Sequence, residues 1–163
     1  IANGGVRYAP RLVKEIRNTD ANGHLGGVET TIEPKVMNVV PVEKSVMDRI
    51  HEGMYQVSHT MDGTARYLFL NYPIKVGSKT GTAEAFYAGP IQYATNNPVV
   101  NATYIGYAPY DKPEIAVSVV LPYLPADATG RDSTRIARDV MNAYFETREA
   151  TRSTIESYKP SQP

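Results

Sequence analysis

The sequence predicts an α+β fold in which an antiparallel sheet is covered by helices. Extended segments, a helix, a strand, a hairpin and a second helix follow one another along the chain. Helices therefore do not alternate with strands as they would in a doubly wound parallel sheet. The last two strand signals are separated only by the turn sequence PYDKP, which favours an antiparallel pair.

The first third of the chain contains short extended segments. Residues 6–17 combine β-branched residues with Pro10, which predicts one segment at a sheet edge, because proline cannot donate to an inner ladder. Residues 18–27 are rich in Asn, Asp and Gly and predict a turn or loop. Residues 36–40 predict a second extended piece that ends at Pro41.

Residues 42–58 predict an amphipathic helix. Val46, Ile50, Met54 and Val57 recur at the spacing of one helix face, with charged residues off that face. Asp62-Gly63-Thr64 then predicts a break or a new cap.

Three strand signals follow residues 65–73, which the pattern leaves unassigned. They cover residues 75–84, 99–108 and 114–121. The connector between the first two is rich in Tyr, Gly, Asn and Pro, and loops of this length are often functional or mobile.

A terminal helix is predicted over residues 133–146, where it would cover the sheet. Its apolar face consists of one row, Ile136, Val140 and Tyr144, and beside it Ala137, Met141 and Phe145. Residues 1–147 are expected to form one domain portion, and residues 148–163 a polar, flexible tail.

Composition excludes several classes of function. The 163 residues, 42% of them hydrophobic, suffice for one domain with a core. Seventeen basic residues balance seventeen acidic ones without a basic stripe, which argues against nucleic acid as a partner. Cysteine is absent, so thiolate metal sites and a cysteine nucleophile are excluded. The apolar runs are shorter than the roughly 20 residues of a membrane span, and a soluble piece is expected.

Residues 77–82, Gly-Ser-Lys-Thr-Gly-Thr, are the main candidate site. A phosphate-binding loop requires Gly immediately before Lys, where Ser78 stands, and a following helix that the pattern lacks. A purely structural interpretation is an exposed edge strand with a glycine bulge.

The third interpretation is an acyl-transfer site, in which a substrate peptide pairs with a strand of small residues. Gly81 would admit the substrate backbone, and the hydroxyl groups of Thr80 and Thr82 would bind a carboxylate. Lys79 would supply a positive field, and the N–H of Thr82 would face a developing oxyanion.

The sequence SKTGTAE resembles the Lys-Thr-Gly motif of penicillin-binding proteins and serine β-lactamases. Further segments resemble, in order, the C-terminal half of the transpeptidase domain of class B penicillin-binding proteins, nearer the division type of Gram-positive bacteria. They are IANGGVRYAPRLVKEI, GMYQVSH, VGSKTGTAE, ATYIGYAPYDKPEIAVSVVLP and ARDVMNAYF.

The resemblance implies roles for the matching residues. Lys79 would help to activate the serine system, Thr80 and Thr82 would hold the substrate carboxylate, and the residue after Gly81 would supply an oxyanion N–H. One departure is Ser78, where many members have Gly. No cofactor and no metal are expected.

The nucleophile motif of the family is missing from this sequence. None of its eight serines begins a Ser-x-x-Lys or a Ser-x-Asn. Because an acyl-enzyme needs a nucleophile beside its base, residues 1–163 alone are expected to be inactive. The opening IANGG predicts the end of a helix, with Asn3 or Gly4 left-handed, and an upstream segment is expected to precede it.

The function implied is that of a peptidoglycan D,D-transpeptidase on the outer face of the cell membrane, anchored through another segment. Implied partners are a peptidoglycan stem peptide, β-lactam antibiotics, the remaining N-terminal part of the transpeptidase domain, and divisome proteins. A β-lactam sensor or a noncatalytic peptide-binding module of the same fold remains the alternative.

Histidine and tyrosine are two further residue types that could contribute to a site. His51 and His59 are eight residues apart, not four as in the zinc-binding helix motif, so solvent-facing or capping roles are favoured for these histidines and His24. Tyr87 and Tyr93 could line a peptide cleft, although packing is the commoner role of such residues.

Overall fold

The computed structural model describes residues 1–86, 98–128 and 130–157. Its contacts divide the chain into two units, one of Ile1 and Asn3–Met47 and one of Ala2 and Asp48–Pro163.

The first unit contains two small antiparallel sheets. Strand β1 (Val6–Tyr8) pairs with β4 (Val36–Val39), and β2 (Glu15–Thr19) pairs with β3 (Leu25–Thr31). The single extended segment predicted for residues 6–17 is therefore wrong. It is two strands in different sheets, separated by a stretch that includes Pro10.

A tight turn joins β2 to β3. The Asp20 carboxylate accepts hydrogen bonds from the backbone N–H groups of Asn22 at 2.8 Å and His24 at 2.9 Å, and Gly23 has a left-handed φ of 82°. The loop predicted for residues 18–27 is correspondingly shorter, and β3 begins within it. Strand β3 was not predicted, because its two glycines are poor strand formers.

Helix α1 (Lys44–His59) confirms the predicted helix, and a short helix α2 (Arg66–Phe69) occupies part of the unassigned stretch. The buried residues of α1 are Met54 and Ser58. Two members of the predicted apolar face, Val46 and Ile50, are exposed by 47% and 38%.

The second unit contains the antiparallel sheet that the sequence predicts. Strands β5 (Gly77–Phe86), β6 (Pro98–Ala108) and β7 (Ile115–Pro125) lie in that order. The predicted hairpin is β6 and β7. Asn101 marks a register shift in β6, and its side-chain oxygen accepts the backbone N–H of Tyr123 at 3.0 Å.

Helix α3 (Arg131–Ser157) packs on β6 and β7, as predicted for the terminal helix. Ala137 and Met141 are fully buried, whereas Ile136 and Val140 are more than 40% exposed. The row that begins with Ala137, which was predicted to lie beside the main face, is thus the one that packs on the sheet. The small side chain of Ala137 lets the helix approach the strands closely. The helix also continues past the predicted end, since residues 147–157 contain no Gly or Pro to stop it.

The core lies between the sheet and its helices. Phe69 stacks on Tyr104 with ring centroids 6.2 Å apart, and Val76 and Met141 complete the same cluster. All four side chains are fully buried. This cluster packs beneath the start of β5, and so it supports the strand that carries residues 77–82.

Within the described ranges, none of the helices has the length and hydrophobicity needed to cross a lipid bilayer.

Candidate active site

Strand β5 forms one edge of its sheet. It is hydrogen-bonded to β6 on one side, and no described strand pairs with its other side. An edge strand presents free backbone N–H and C=O groups to which an extended peptide can pair. The bulge expected in the structural interpretation is absent, because β5 pairs with β6 without a register shift from Gly77 to Phe86.

The side chains of β5 alternate between the two faces of the sheet. Thr80 lies opposite Tyr104, and Thr82, two residues further on, shares its face. Lys79 lies opposite Ile105 and projects from the other face. The fold therefore brings the two threonine hydroxyl groups together and separates them from the lysine side chain.

Lys79 is exposed, and its ammonium group donates a hydrogen bond to the backbone carbonyl of Thr80. An ammonium group has three donors, so two remain for a substrate or for another side chain. The charge accordingly lies beside the backbone of the strand.

Two glycines of β5 make room for side chains of β6. A Cβ at Gly77 would lie 2.6 Å from the ring of Tyr107, and one at Gly81 would collide with the hydroxyl of Thr103. Burial raises the pKa of Tyr107 to about 12, so this phenol stays neutral at physiological pH. Two glycines in one strand predict that another group approaches the strand closely, and here that group is a side chain of the neighbouring strand β6.

The turn before α2 brings a third hydroxyl group to the site. Thr64 Oγ1 lies 2.7 Å from Thr80 Oγ1. A Cβ at Gly63 would collide with the backbone carbonyls of Gln56 and Val57, so glycine lets the turn pack against the end of α1. The sequence identified this turn as a break but gave no sign that Thr64 meets the motif.

Ser78, the departure from the family pattern, is fully buried. Its hydroxyl lies 2.7 Å from that of Ser58 near the end of α1, which is also fully buried. The Ser78 side chain therefore links β5 to α1 at the position next to Lys79. Burial raises the pKa of the adjacent Tyr104, and its contact with Ser78 opposes this shift.

His59 makes a second tie between α1 and the start of β5. Its Nε2 accepts the backbone N–H of Val76 at 2.9 Å, and its ring stacks on Tyr55. Burial, and next the charge of Lys75, lower the pKa of His59. Because Nε2 accepts this hydrogen bond, it carries no proton, a role that the spacing of His59 from His51 did not predict.

A pocket of about 410 Å³ opens beside the threonines. It is lined by Gly63, Thr64, Arg66, Tyr67, Thr80, Thr82, Gly130 and Arg131. Lys79 is not part of this lining. The two arginines were not recognised in the sequence, because they come from the starts of two different helices and meet the strand only in the fold.

A second hollow, of about 730 Å³, lies along α1 and contains no residue of β5. Its lining is Asp48, Arg49, His51, Glu52, Gly53, Gln56, Tyr110 and Asp111. Over the described ranges, the His, Asp and Glu side chains form no group of three or more that could hold a metal ion.

Tyr87 and Tyr93, the predicted cleft residues, lie outside the described residues, as does most of the connector that follows β5. Their proposed role stays a prediction.

The α+β fold and the open edge strand with Lys-Thr-Gly-Thr are those of the class that contains penicillin-binding proteins and serine β-lactamases. A family model described as the penicillin binding protein transpeptidase domain matches residues 1–142. The chain belongs to this family.

Known proteins agree with this assignment. Penicillin-binding protein 2A of Bacillus subtilis is 40% identical over 148 residues, which are 90% of this chain and 20% of that protein. The peptidoglycan D,D-transpeptidase MrdA of Haemophilus influenzae is 26% identical over 155 residues, 91% of this chain and 22% of that protein. The chain spans about a fifth of the length of these relatives.

A solved structure of penicillin-binding protein 2B from Streptococcus pneumoniae strain R6 superposes with a TM-score of 0.75 at 36% identity. The match covers 90% of this chain and 23% of that structure. The predicted fold class is therefore confirmed.

Proposed function

We propose that this chain forms one wall of the active site of a peptidoglycan D,D-transpeptidase. The observation that carries the proposal is the edge of β5 with which no described strand pairs, with Lys79 beside its backbone and Thr80 and Thr82 together on one face. A stem peptide pairs with this edge as an added strand. Residues 1–147 belong to the transpeptidase domain, and residues 148–163, the first of which continue helix α3, follow it as its C-terminal segment.

The reaction has two acyl transfers. A serine supplied by a segment outside this sequence attacks the carbonyl carbon of the penultimate D-alanine, and the terminal D-alanine leaves as the protonated amine. The amine of a neighbouring stem peptide then attacks the ester carbonyl, and the serine oxygen leaves with a proton. A β-lactam acylates the same serine by opening its ring.

The described residues have distinct tasks in this scheme. The ammonium group of Lys79 favours ionisation of the serine system, and the backbone N–H of Thr82 donates to the oxyanion. The hydroxyl groups of Thr80 and Thr82 bind the carboxylate of the leaving D-alanine. The protein works at the outer face of the cell membrane, where peptidoglycan and divisome proteins are its partners.

The test uses the full-length protein and a fluorescent penicillin. We expect the unmutated protein to be labelled covalently and Lys79→Ala to be labelled about 10²- to 10³-fold more slowly, because a preorganised charge at the reacting group is lost. The matched control is Lys112→Ala, which removes an exposed lysine from the turn between β6 and β7.

Equal labelling rates for Lys79→Ala and Lys112→Ala would remove β5 from the active site. Labelling without formation of cross-linked peptide would instead assign the protein to the β-lactam sensors of the same fold. Residues 1–163 alone, folded as judged by circular dichroism, are expected to remain unlabelled.

A further inference from the structure

The pocket beside Thr80 and Thr82 is cationic. Among the described residues, its lining contains two arginines, Arg66 and Arg131, and no acidic residue. Asp132, which follows Arg131, forms an ion pair with Arg135 at 3.2 Å. Among the residues that the structure describes, neither lining guanidinium forms an ion pair, so the pocket carries two positive charges.

Arg131 makes two contacts with Tyr67. Its guanidinium carbon lies 5.3 Å from the centroid of the Tyr67 ring, which is the geometry of a cation–π contact. The hydroxyl of the same tyrosine donates to the backbone carbonyl of Arg131 at 3.3 Å. A cation–π contact uses the charge of the guanidinium and none of its five N–H donors, which therefore remain for a ligand.

Arg66 is on the neighbouring helix α2, and its side chain makes a weak contact with Met61. One guanidinium N–H donates to the sulfur of Met61 at 3.9 Å. A guanidinium has five N–H donors, so most of them remain for a ligand.

The hydroxyl groups of the pocket complement these cations. Thr64 and Thr80 form one hydrogen bond with each other, which uses only one of their two hydroxyl hydrogens. The second hydrogen, and that of Thr82, can be donated into the pocket. Two guanidinium groups and two hydroxyl donors suit a planar anion with two oxygens, which is a carboxylate.

We propose that Arg66 and Arg131 bind the terminal carboxylate of the acyl donor together with Thr80 and Thr82, and so select donors that end in a free acid. This inference rests on the proposed function and deepens it. Arg66 and Arg131 become specificity-determining residues, and Lys79, on the opposite face of β5, keeps its separate task at the serine. A donor whose end is esterified loses the charge that the arginines bind.

The experiment compares benzylpenicillin with its methyl ester as acylating agents of the full-length protein. In Arg66→Gln and Arg131→Gln, the second-order acylation rate with the acid is expected to fall about ten- to a hundredfold, because one hydrogen bond between charged groups is lost. The rate with the ester should change less than about threefold. Arg131→Lys, which keeps the charge but not the two-pronged geometry, should lie between.

Arg49→Gln on α1 is the matched control, since it removes one exposed positive charge that does not line the pocket. We expect it to leave both rates unchanged. Thermal unfolding of each variant establishes that it is folded, and the acid-to-ester ratio reports selectivity independently of the amount of active protein.

Equal loss of both rates in the arginine variants, or unchanged rates with both compounds, overturns the inference while leaving the proposed function in place. Failure of the unmutated protein to react with benzylpenicillin overturns the proposed function itself. The two failures are therefore distinguishable within one series of measurements.

Discussion

The two units of the chain use antiparallel strands of similar residue types but bury them to different degrees. Every residue of β3 and β4 is exposed, whereas most residues of β6 are buried. The pairings differ as well. Register shifts interrupt both small sheets of the first unit, whereas in the second unit one shift lies between β6 and β7 and β5 pairs with β6 without any.

This difference indicates what fixes the register of a strand. A shift by one residue moves every side chain to the opposite face, which is costly only where one face is buried. In the second unit such a shift would be costly, because one face of the sheet packs in the buried cluster of Phe69, Tyr104 and Met141. The register of β5 keeps Thr80 and Thr82 on one face, so the buried core of this unit also determines the geometry of the site.

The largest expected effect is therefore loss of a core side chain in the second unit. Phe69→Ala should lower the free energy of unfolding by about 3–5 kcal/mol, because it removes a fully buried ring beneath Tyr104 and leaves a cavity. In the first unit, Val28→Ala removes a side chain that is 46% exposed and should cost less than about 0.5 kcal/mol. Urea unfolding followed by circular dichroism measures both.

Comparable losses in the two variants would show that the exposed strands are as tightly coupled to stability as the core. The contrast drawn between the units would then be wrong.

A smaller effect is expected where α1 meets β5. Ser78→Ala leaves the buried hydroxyl of Ser58 without its partner and should cost about 1–3 kcal/mol. The double variant Ser58→Ala and Ser78→Ala should cost less than the sum of the single variants, because no orphaned hydroxyl remains. A strictly additive result, measured by the same urea unfolding, would show that the two hydroxyl groups do not stabilise each other.

The sequence predicted mainly the long elements whose apolar pattern is enforced by burial, and in addition the short exposed strand β4, which lies within the predicted residues 36–40. Helix α1, strands β5 to β7 and helix α3 were all anticipated, because long periodic segments specify their own type. It failed for β2 and β3, which bury little and therefore show no clean alternation. For α3, periodicity alone could not decide between two adjacent rows, since that choice depends on the fit of Ala137 against the sheet.

The residues of the candidate site also fall into two groups, those that the sequence reveals and those that only the fold brings together. Lys79, Thr80, Gly81 and Thr82 are contiguous and could be found in the sequence, although their roles stay predictions. Thr64, Arg66 and Arg131 could not, because they are brought to the strand by turns and helices distant in sequence. The glycine of the Asp62-Gly63-Thr64 turn was the one available signal, since a close backbone approach often requires glycine.

The smallest expected effect is a difference between the two units in how their stability depends on pH. The pKa of His59 is lowered in the folded protein. Below about pH 6.5, the ordinary pKa of histidine, the unfolded chain therefore binds a proton at His59 more readily than the folded protein does. The contribution of His59 to the free energy of unfolding is fully present above that pH, and it is lost as the pH falls through the pKa of the folded state. In the first unit, Asp20 has a lowered pKa through its hydrogen bonds to His24, and its contribution is lost only below about pH 4.

Between pH 7 and pH 5 the end of α1 should therefore loosen before the turn at Asp20 does. Amide hydrogen exchange at Val76, corrected for the intrinsic rate at each pH, should accelerate over this range, whereas exchange in β2 and β3 should not. In His59→Gln the acceleration should disappear, because glutamine has no proton to gain. If the variant retained it, protonation of His59 would not be the cause, and the tie between α1 and β5 would have to be sought in the Ser58 and Ser78 pair alone.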